Sequence, residues 1–286
     1  MRKRHFNYTQ LAFDILRGRW LVSDAELLLP HAFDFLARIP SDSEVDYSPM
    51  LYNKDGSCSD AGAESTDTAK KVIVVPMHGP VTKYWSCGTV GTSELARDIL
   101  DFASMEDVVG IVLDVDSPGG AANAVAPMIE AIRKVQSMGK PIIVHGDMVS
   151  SAAYWIASQC DSIFLDNTLS RAGSIGAYAS FIDDRENKQT GSRTITVYAP
   201  ESTEKNRAYR EALDGKYELC REELSELVQV FHQAVRTNRP AIKSKESEVL
   251  TGAIFTASKA VANGLADGVK TLSECIENVF IRAEFK

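Results

Sequence analysis

The sequence predicts an α/β fold built on a parallel sheet with helices on both sides, and three observations carry that expectation. Apolar runs such as Val72-Ile-Val-Val-Pro-Met, Val108-Val-Gly-Ile-Val-Leu, Pro141-Ile-Ile-Val and Ser162-Ile-Phe-Leu are continuous rather than alternating, as strands buried on both faces must be. Between them lie stretches whose apolar residues recur at helical spacing. Turns rich in glycine and serine follow the strands, and sheets of this kind place their chemistry at the strand carboxyl ends.

Residues 1–39 read as a helical arm: Leu11, Ala12, Ile15 and Leu16 recur at helical spacing, and Pro30 opens a second piece. Residues 40–70, through Asn53-Lys-Asp-Gly-Ser and Ala61-Gly-Ala-Glu-Ser-Thr-Asp, are polar and rich in turn formers, and read as a linker. The remainder, 71–286, is one catalytic-sized domain. After the strand at Val72, Ser93 to Ser104 reads as a helix with Leu95, Ile99, Leu100 and Ala103 on one face. A strand from Val108, a helix from Ala121 to Met138, a strand from Pro141 to His145 and a helix from Ser151 to Gln159 follow. A strand at Ser162 to Asp166 comes next, then one at Thr194 to Tyr198 and a single long helix from Ala208 to Thr237. Helices from Ala257 to Asn263 and from Leu272 complete the chain.

Composition narrows the function. Of 286 residues, 31 are Lys or Arg and 39 are Asp or Glu, a net charge of -8 that disfavours a general nucleic-acid or anionic-membrane binder. The five cysteines are odd in number and include no Cys-x-x-Cys pair, so neither a disulfide framework nor a zinc site is expected, and a reducing compartment fits. The basic start Met1-Arg-Lys-Arg is not followed by a signal-peptide core, because Asp14, Arg17 and Arg19 interrupt it. No run approaches the roughly 20 apolar residues of a membrane span. The expectation is a cytoplasmic protein with no metal or organic cofactor.

Three turns bear candidate chemistry. Asp116-Ser-Pro-Gly-Gly ends a strand, and its adjacent glycines can leave backbone N–H groups open to an oxyanion. Ser151 opens the helix after His145-Gly-Asp-Met-Val-Ser, where a nucleophile would be favoured by the helix dipole and a plain capping serine would also sit. Ser174 lies in Arg171-Ala-Gly-Ser-Ile-Gly, a strained turn or an ordinary loop. A nucleophilic serine needs a base. His145 precedes Ser151 on the same strand, and no histidine occurs between Ser151 and His232. A lysine serves if burial keeps it neutral, and Lys205 in Thr203-Glu-Lys-Asn-Arg is the candidate, though by composition a lysine there is a solvated loop residue. Lys188 and Lys216 are poorer choices in polar segments.

The order of the pieces is more specific than any one of them. Asp116-Ser-Pro-Gly-Gly, Ser151-Ala-Ala-Tyr-Trp, Gly173-Ser-Ile-Gly, a lysine near 205 and Phe255-Thr-Ala-Ser-Lys-Ala-Val-Ala-Asn-Gly-Leu-Ala-Asp together resemble the signal peptide peptidase A family of serine peptidases, over about Lys71 to Val269. The phage capsid (prohead) protease branch is the nearer match. The resemblance implies a Clp protease/crotonase-like fold of repeated ββα units, with Ser151 as nucleophile and Lys205 as base. It also implies Gly119 and Gly120 at the oxyanion hole, Ser174 orienting the lysine, and Tyr154 and Trp155 as packing. Where the family reads Gly-x-x-Lys, this chain has Tyr198-Ala-Pro-Glu-Ser-Thr-Glu-Lys. The implied partners are a peptide or protein substrate, further copies in a homo-oligomer, and phage scaffold or capsid proteins. Three alternatives stand beside the phage protease: a signal peptide peptidase-like bacterial enzyme, a crotonase-type acyl-CoA enzyme, and a catalytically inactive structural relative.

Overall fold

The computed structural model describes residues 20–22, 47–62, 69–85, 90–180 and 195–285. The elements run β1 (Trp20–Val22), β2 (Met50–Asn53), β3 (Cys58–Asp60), β4 (Lys71–His78), α1 (Thr92–Ser104), β5 (Val108–Ser117), β6 (Gly119–Ala121), α2 (Val125–Ser137), β7 (Ile142–Ser150) and α3 (Ala152–Ala157). They continue with β8 (Ser162–Leu165), β9 (Arg171–Gly173), α4 (Arg207–Leu213), α5 (Glu218–Asn238), α6 (Glu246–Val249), β10 (Ile254–Thr256), α7 (Ala257–Ala262), β11 (Gly268–Val269) and α8 (Leu272–Glu284).

The protein is α/β, built on a mixed nine-stranded sheet. Its centre is parallel: β4, β5, β7 and β8 are neighbours in that order, while β2 and β10 join antiparallel at the margins. The apolar runs alternate between two cores. Ile73, Val75, Leu113, Val115 and Val144 face α1, α2, α3 and α5 on one side. Val72, Val74, Val112, Ile143 and Phe164 face Cys275, Ile276, Val279 and Phe280 of α8 on the other. Burial on both faces is why these strands carry no polar alternation.

One strand positions the site. β7 pairs with β8 from Ile143 to Gly146, then parts from it and pairs with β9 from Met148 to Ser150. A Cβ on Gly146 would lie 2.4 Å from Val149 Cγ2 and 2.8 Å from the Val115 carbonyl, so only glycine lets β5 and β7 stay together through the shift of register there. The strand thus reaches Ser150, five residues beyond the His145 expected from the sequence.

Several expectations need correcting. Trp20–Val22, inside the expected helical arm, is a strand; the rest of residues 1–39 lies outside the described residues. Within the expected linker, β2 and β3 form a hairpin hydrogen-bonded to β4, so this part belongs to the sheet. Residues 195–199 are not a strand: Ile195 and Val197 are exposed and have no strand partner among the described residues. The long helix is two, broken at Asp214-Gly215-Lys216, where Gly215 has φ 78°. The Gly119 turn is a short strand, with helix proper starting only at Val125.

Candidate active site

Ser151 sits at the junction of β7 and α3 with φ 54° and ψ −121°, a backbone region that side chains strongly disfavour. Such a conformation costs about 1–3 kcal/mol and persists only where surroundings over-determine it. Here Ser151 N–H donates to the Gly173 carbonyl at 2.8 Å, and the Ser151 carbonyl accepts from Trp155 N–H at 2.9 Å. Ala152 and Ala153 are fully buried, so no larger side chain could follow Ser151 without displacing the core. The serine hydroxyl makes no capping hydrogen bond to α3. That removes the plain alternative of a helix-capping serine, and with only six residues α3 offers little dipole.

The Gly119–Gly120 strand lies beside it. Ser117 pairs with Val149 across β5 and β7, so Gly119 and Ser151, each two residues further on, leave the sheet side by side. α3 packs directly on β6. On its far edge β6 is held by the chain after β4: Val81 N–H donates to the Gly119 carbonyl, and Ala121 N–H to the Val81 carbonyl, both at 2.8 Å. In trans peptide units N–H and C=O point oppositely, so Gly120 N–H and Gly120 C=O both face away from Val81. Gly119 N–H is already taken by Ser117 Oγ at 3.2 Å. Of the two glycines it is therefore Gly120 that presents a donor. A Cβ there would lie 2.1 Å from the Val81 carbonyl oxygen, so glycine is required. A cavity lined by Tyr47, Met77, Val81 and Val90 opens on the opposite, Val81 side of β6.

Ser174 follows β9 with φ 55°, and its N–H donates to the Ala253 carbonyl at 2.7 Å. The neighbouring Gly173 carbonyl is the one that ties down Ser151, so the Ser174 turn and the Ser151 turn are joined through backbone. Tyr154 is fully buried and donates its hydroxyl to the Leu265 carbonyl at 2.9 Å, and Trp155 stacks on Phe231 at 4.6 Å. Both aromatics pack, as the sequence implied. Leu265 belongs to the Gly264-Leu-Ala-Asp267 stretch, where Asp267 takes Arg239 in two hydrogen bonds of 2.7 and 3.0 Å and fixes the segment under α3.

Lys205 is not brought to Ser151 within the single chain. It lies exposed on a turn, its N–H bonded to the Ser202 carbonyl at 3.2 Å, and residues 181–194 ahead of it, Lys188 included, lie outside the described residues. Lys216 is exposed at the α4–α5 break. His145 is committed elsewhere: its Nδ1 meets Asp114 at 2.7 Å and its Nε2 meets Asp166 at 3.1 Å, on the α8 face of the sheet. The sequence reading passed over His232. It is buried on α5, hydrogen-bonded to the backbone of Ile175 next to Ser174, and its Nε2 has no partner among the described residues. Burial and the nearby Arg236 push its pKa down, which keeps the ring neutral. Its one sequence signal was a histidine interrupting an apolar helix face. Among the described residues no group of three or more His, Cys, Asp or Glu side chains is placed to hold a metal, and no helix is long and apolar enough to cross a membrane.

A serine on a strained strand-to-helix turn, beside a backbone N–H left open, is how α/β proteins expose a nucleophile. Residues 134–286, more than half of the chain, match the model of Peptidase family S49, and the chain belongs to that family. It is 27% identical over 217 residues to Protease 4 of Haemophilus influenzae, covering 74% of this chain and 35% of that one. It is 24% identical over 192 residues to the head-tail preconnector protein GP5 of Enterobacteria phage P21, covering 66% and 38%. The chain thus spans little more than a third of either relative's length. A solved structure, a membrane-bound stomatin-specific protease, aligns over 73% of this chain and 84% of its own with a TM-score of 0.44 and 18% identity.

Proposed function

We propose that the protein is a serine endopeptidase that works through an acyl-enzyme on Ser151. The observation that carries this reading is the Ser151 turn: an uncapped hydroxyl on strained backbone, level with β6, whose Gly120 N–H points away from Val81. In the reaction Ser151 Oγ adds to the scissile carbonyl as its proton passes to the base. Gly120 N–H takes the developing oxyanion, and the base then protonates the leaving amine. Water attacks the ester and regenerates the serine. Gly119 shapes the turn, and its own N–H stays with Ser117.

Lys205 is the base in this reading, with Ser174 orienting it. A lysine must be desolvated to be neutral near pH 7, and Lys205 is exposed in the single chain. A second copy packed on this segment would supply the burial, and exposed Ile195 and Val197 give such a copy an apolar surface to cover. The working form is accordingly a homo-oligomer. The biological role we favour is maturation of a phage or prophage capsid in the host cytoplasm, with scaffold or shell proteins as substrates; the likeness to a phage head-tail preconnector protein supports it. The likeness to Protease 4 supports the rival role of a signal peptide peptidase.

The test is cleavage of an unfolded protein mixture read by mass spectrometry, with wild type beside Ser151→Ala, Lys205→Ala and His232→Ala, each confirmed folded. Wild type should cut, and Ser151→Ala and Lys205→Ala should lose at least about a hundredfold in rate. If Lys205→Ala cuts normally and His232→Ala is silent, the base is the buried histidine. If wild type never cuts, the inactive structural relative is the better reading.

A further inference from the structure

A short strand from the N-terminal part of the chain lies along β6. Trp20–Val22 pairs antiparallel with β6, setting Trp20 opposite Ala121, Leu21 opposite Gly120 and Val22 opposite Gly119. β6 has two edges. Val81 holds one, through the Gly119 carbonyl and Ala121 N–H. The other bears Gly120 N–H and C=O, and β1 lies along it. Leu21 and Gly120 are therefore the pair that exchanges both hydrogen bonds: Gly120 N–H to the Leu21 carbonyl, Leu21 N–H to the Gly120 carbonyl. The Gly120 N–H thus meets the carbonyl of Leu21.

Resting on the reading of Ser151 as nucleophile, we propose that Trp20-Leu21-Val22 is the enzyme's own first substrate, and that Ser151 cuts the bond between Leu21 and Val22. Ser151 Oγ bonds to the Leu21 carbonyl carbon while the hydroxyl proton goes to the base. The C–N bond breaks, and that proton passes to the Val22 nitrogen. Water then hydrolyses the Leu21 ester, releasing residues 1–21 with a carboxylate end and restoring the Ser151 hydroxyl. Until this happens β1 excludes other peptides from the same edge, so processing opens the site. The register also defines how any later substrate binds: extended, antiparallel to β6, with the residue before the cut opposite Gly120 and main-chain hydrogen bonds giving much of the affinity.

The experiment uses the full-length chain, incubated after purification and read by intact mass and N-terminal sequencing, with cleavage of an unfolded protein mixture measured in parallel. Wild type should become a chain beginning at Val22, and Ser151→Ala should keep residues 1–21. Leu21→Pro removes the N–H that pairs with Gly120; it should slow this cut about tenfold or more, and cleavage of the protein mixture should appear only as the cut proceeds. Wild type that cuts the mixture but keeps its N-terminus overturns the inference and leaves the peptidase reading standing. A Ser151-dependent cut at another bond overturns the register. A cut at Leu21–Val22 that persists in Ser151→Ala, or is unslowed in Leu21→Pro, overturns the inference too. Loss of both cleavages in wild type overturns it together with the peptidase reading.

Discussion

Two backbone positions define the candidate site at the residue scale. Ser151 adopts a conformation that would suit glycine better, and the Gly173 carbonyl and the Trp155 N–H keep it there. Its hydroxyl makes no capping bond to the helix it opens. Gly120 has the complementary constraint, because Val81 approaches so closely that one methyl group would displace the strand. Gly120→Ala should therefore move the open N–H away from Ser151. Losing one such donor costs about 10²–10³ in kcat, and the loss should appear in kcat measured on a peptide cut by wild type, with the melting temperature showing how far the strand itself has shifted. An unchanged kcat would mean that Gly120 N–H does not face the reacting carbonyl. Neither constraint is legible in the sequence. Gly119 and Gly120 were equal candidates there, and what separates them is Ser117 Oγ on one N–H and Val81 across the strand, contacts that need the fold.

At the scale of elements, a polar row crosses four adjacent strands: His78 of β4, Asp114 of β5, His145 of β7, and Asp166 just past β8. Asp114 accepts from both histidines, at 3.2 Å from His78 and 2.7 Å from His145. Burial works against the Asp114 carboxylate, but the histidine hydrogen bonds win and hold its pKa at about 2. Burial likewise opposes the His145 charge, and Asp114 and Asp166 overcome it to raise that pKa. A raised histidine stabilises fully below its unfolded value of about 6.5 and loses that contribution as pH climbs through the folded value. A depressed carboxylate stabilises above its unfolded value of about 3.9 and loses it as pH falls toward 2. Thermal melts should accordingly show a plateau between about pH 4 and 6.5 with a decline above it, and His145→Asn should flatten that upper decline. Equal slopes in both proteins would show that the row does not couple to folding.

Elements were legible to the degree that their information is local. The four parallel strands declared themselves because each is buried on both faces, and helix α1 because Leu95 and Ile99 recur on one face. The β2–β3 hairpin left a signal that composition hid: Asp55-Gly56 is a turn pair, and Gly56 takes φ 86°. β1 and β6 left almost none, since three residues become a strand only through a partner far away in the chain. At 195–199 the reverse occurred: Ile195 and Val197 alternate as a strand would, yet nothing among the described residues pairs with them.

For the whole molecule, membership in peptidase family S49 and the α/β architecture agree, and the segments that carry the match run from α2 to the C-terminus. The candidate site draws on several segments: Ser151 from the end of β7, its anchor from β9, its packing from α5, and the Gly120 N–H from β6. Lys205, the base in the proposed reading, lies exposed in the single chain. Sequence order placed Lys205 after Ser151 and Ser174 but carried no information on what surrounds it, since burial is a property of the folded chain and its contacts.

The most direct test of the account is to locate the acyl-enzyme. Full-length protein would be treated with a serine-reactive fluorophosphonate, digested, and its adducts mapped by mass spectrometry. A single adduct on the hydroxyl of Ser151, formed at least about a hundredfold more slowly in Lys205→Ala, is the predicted result. An adduct on a different serine, or unmodified Ser151 in protein that still cleaves peptides, would contradict it.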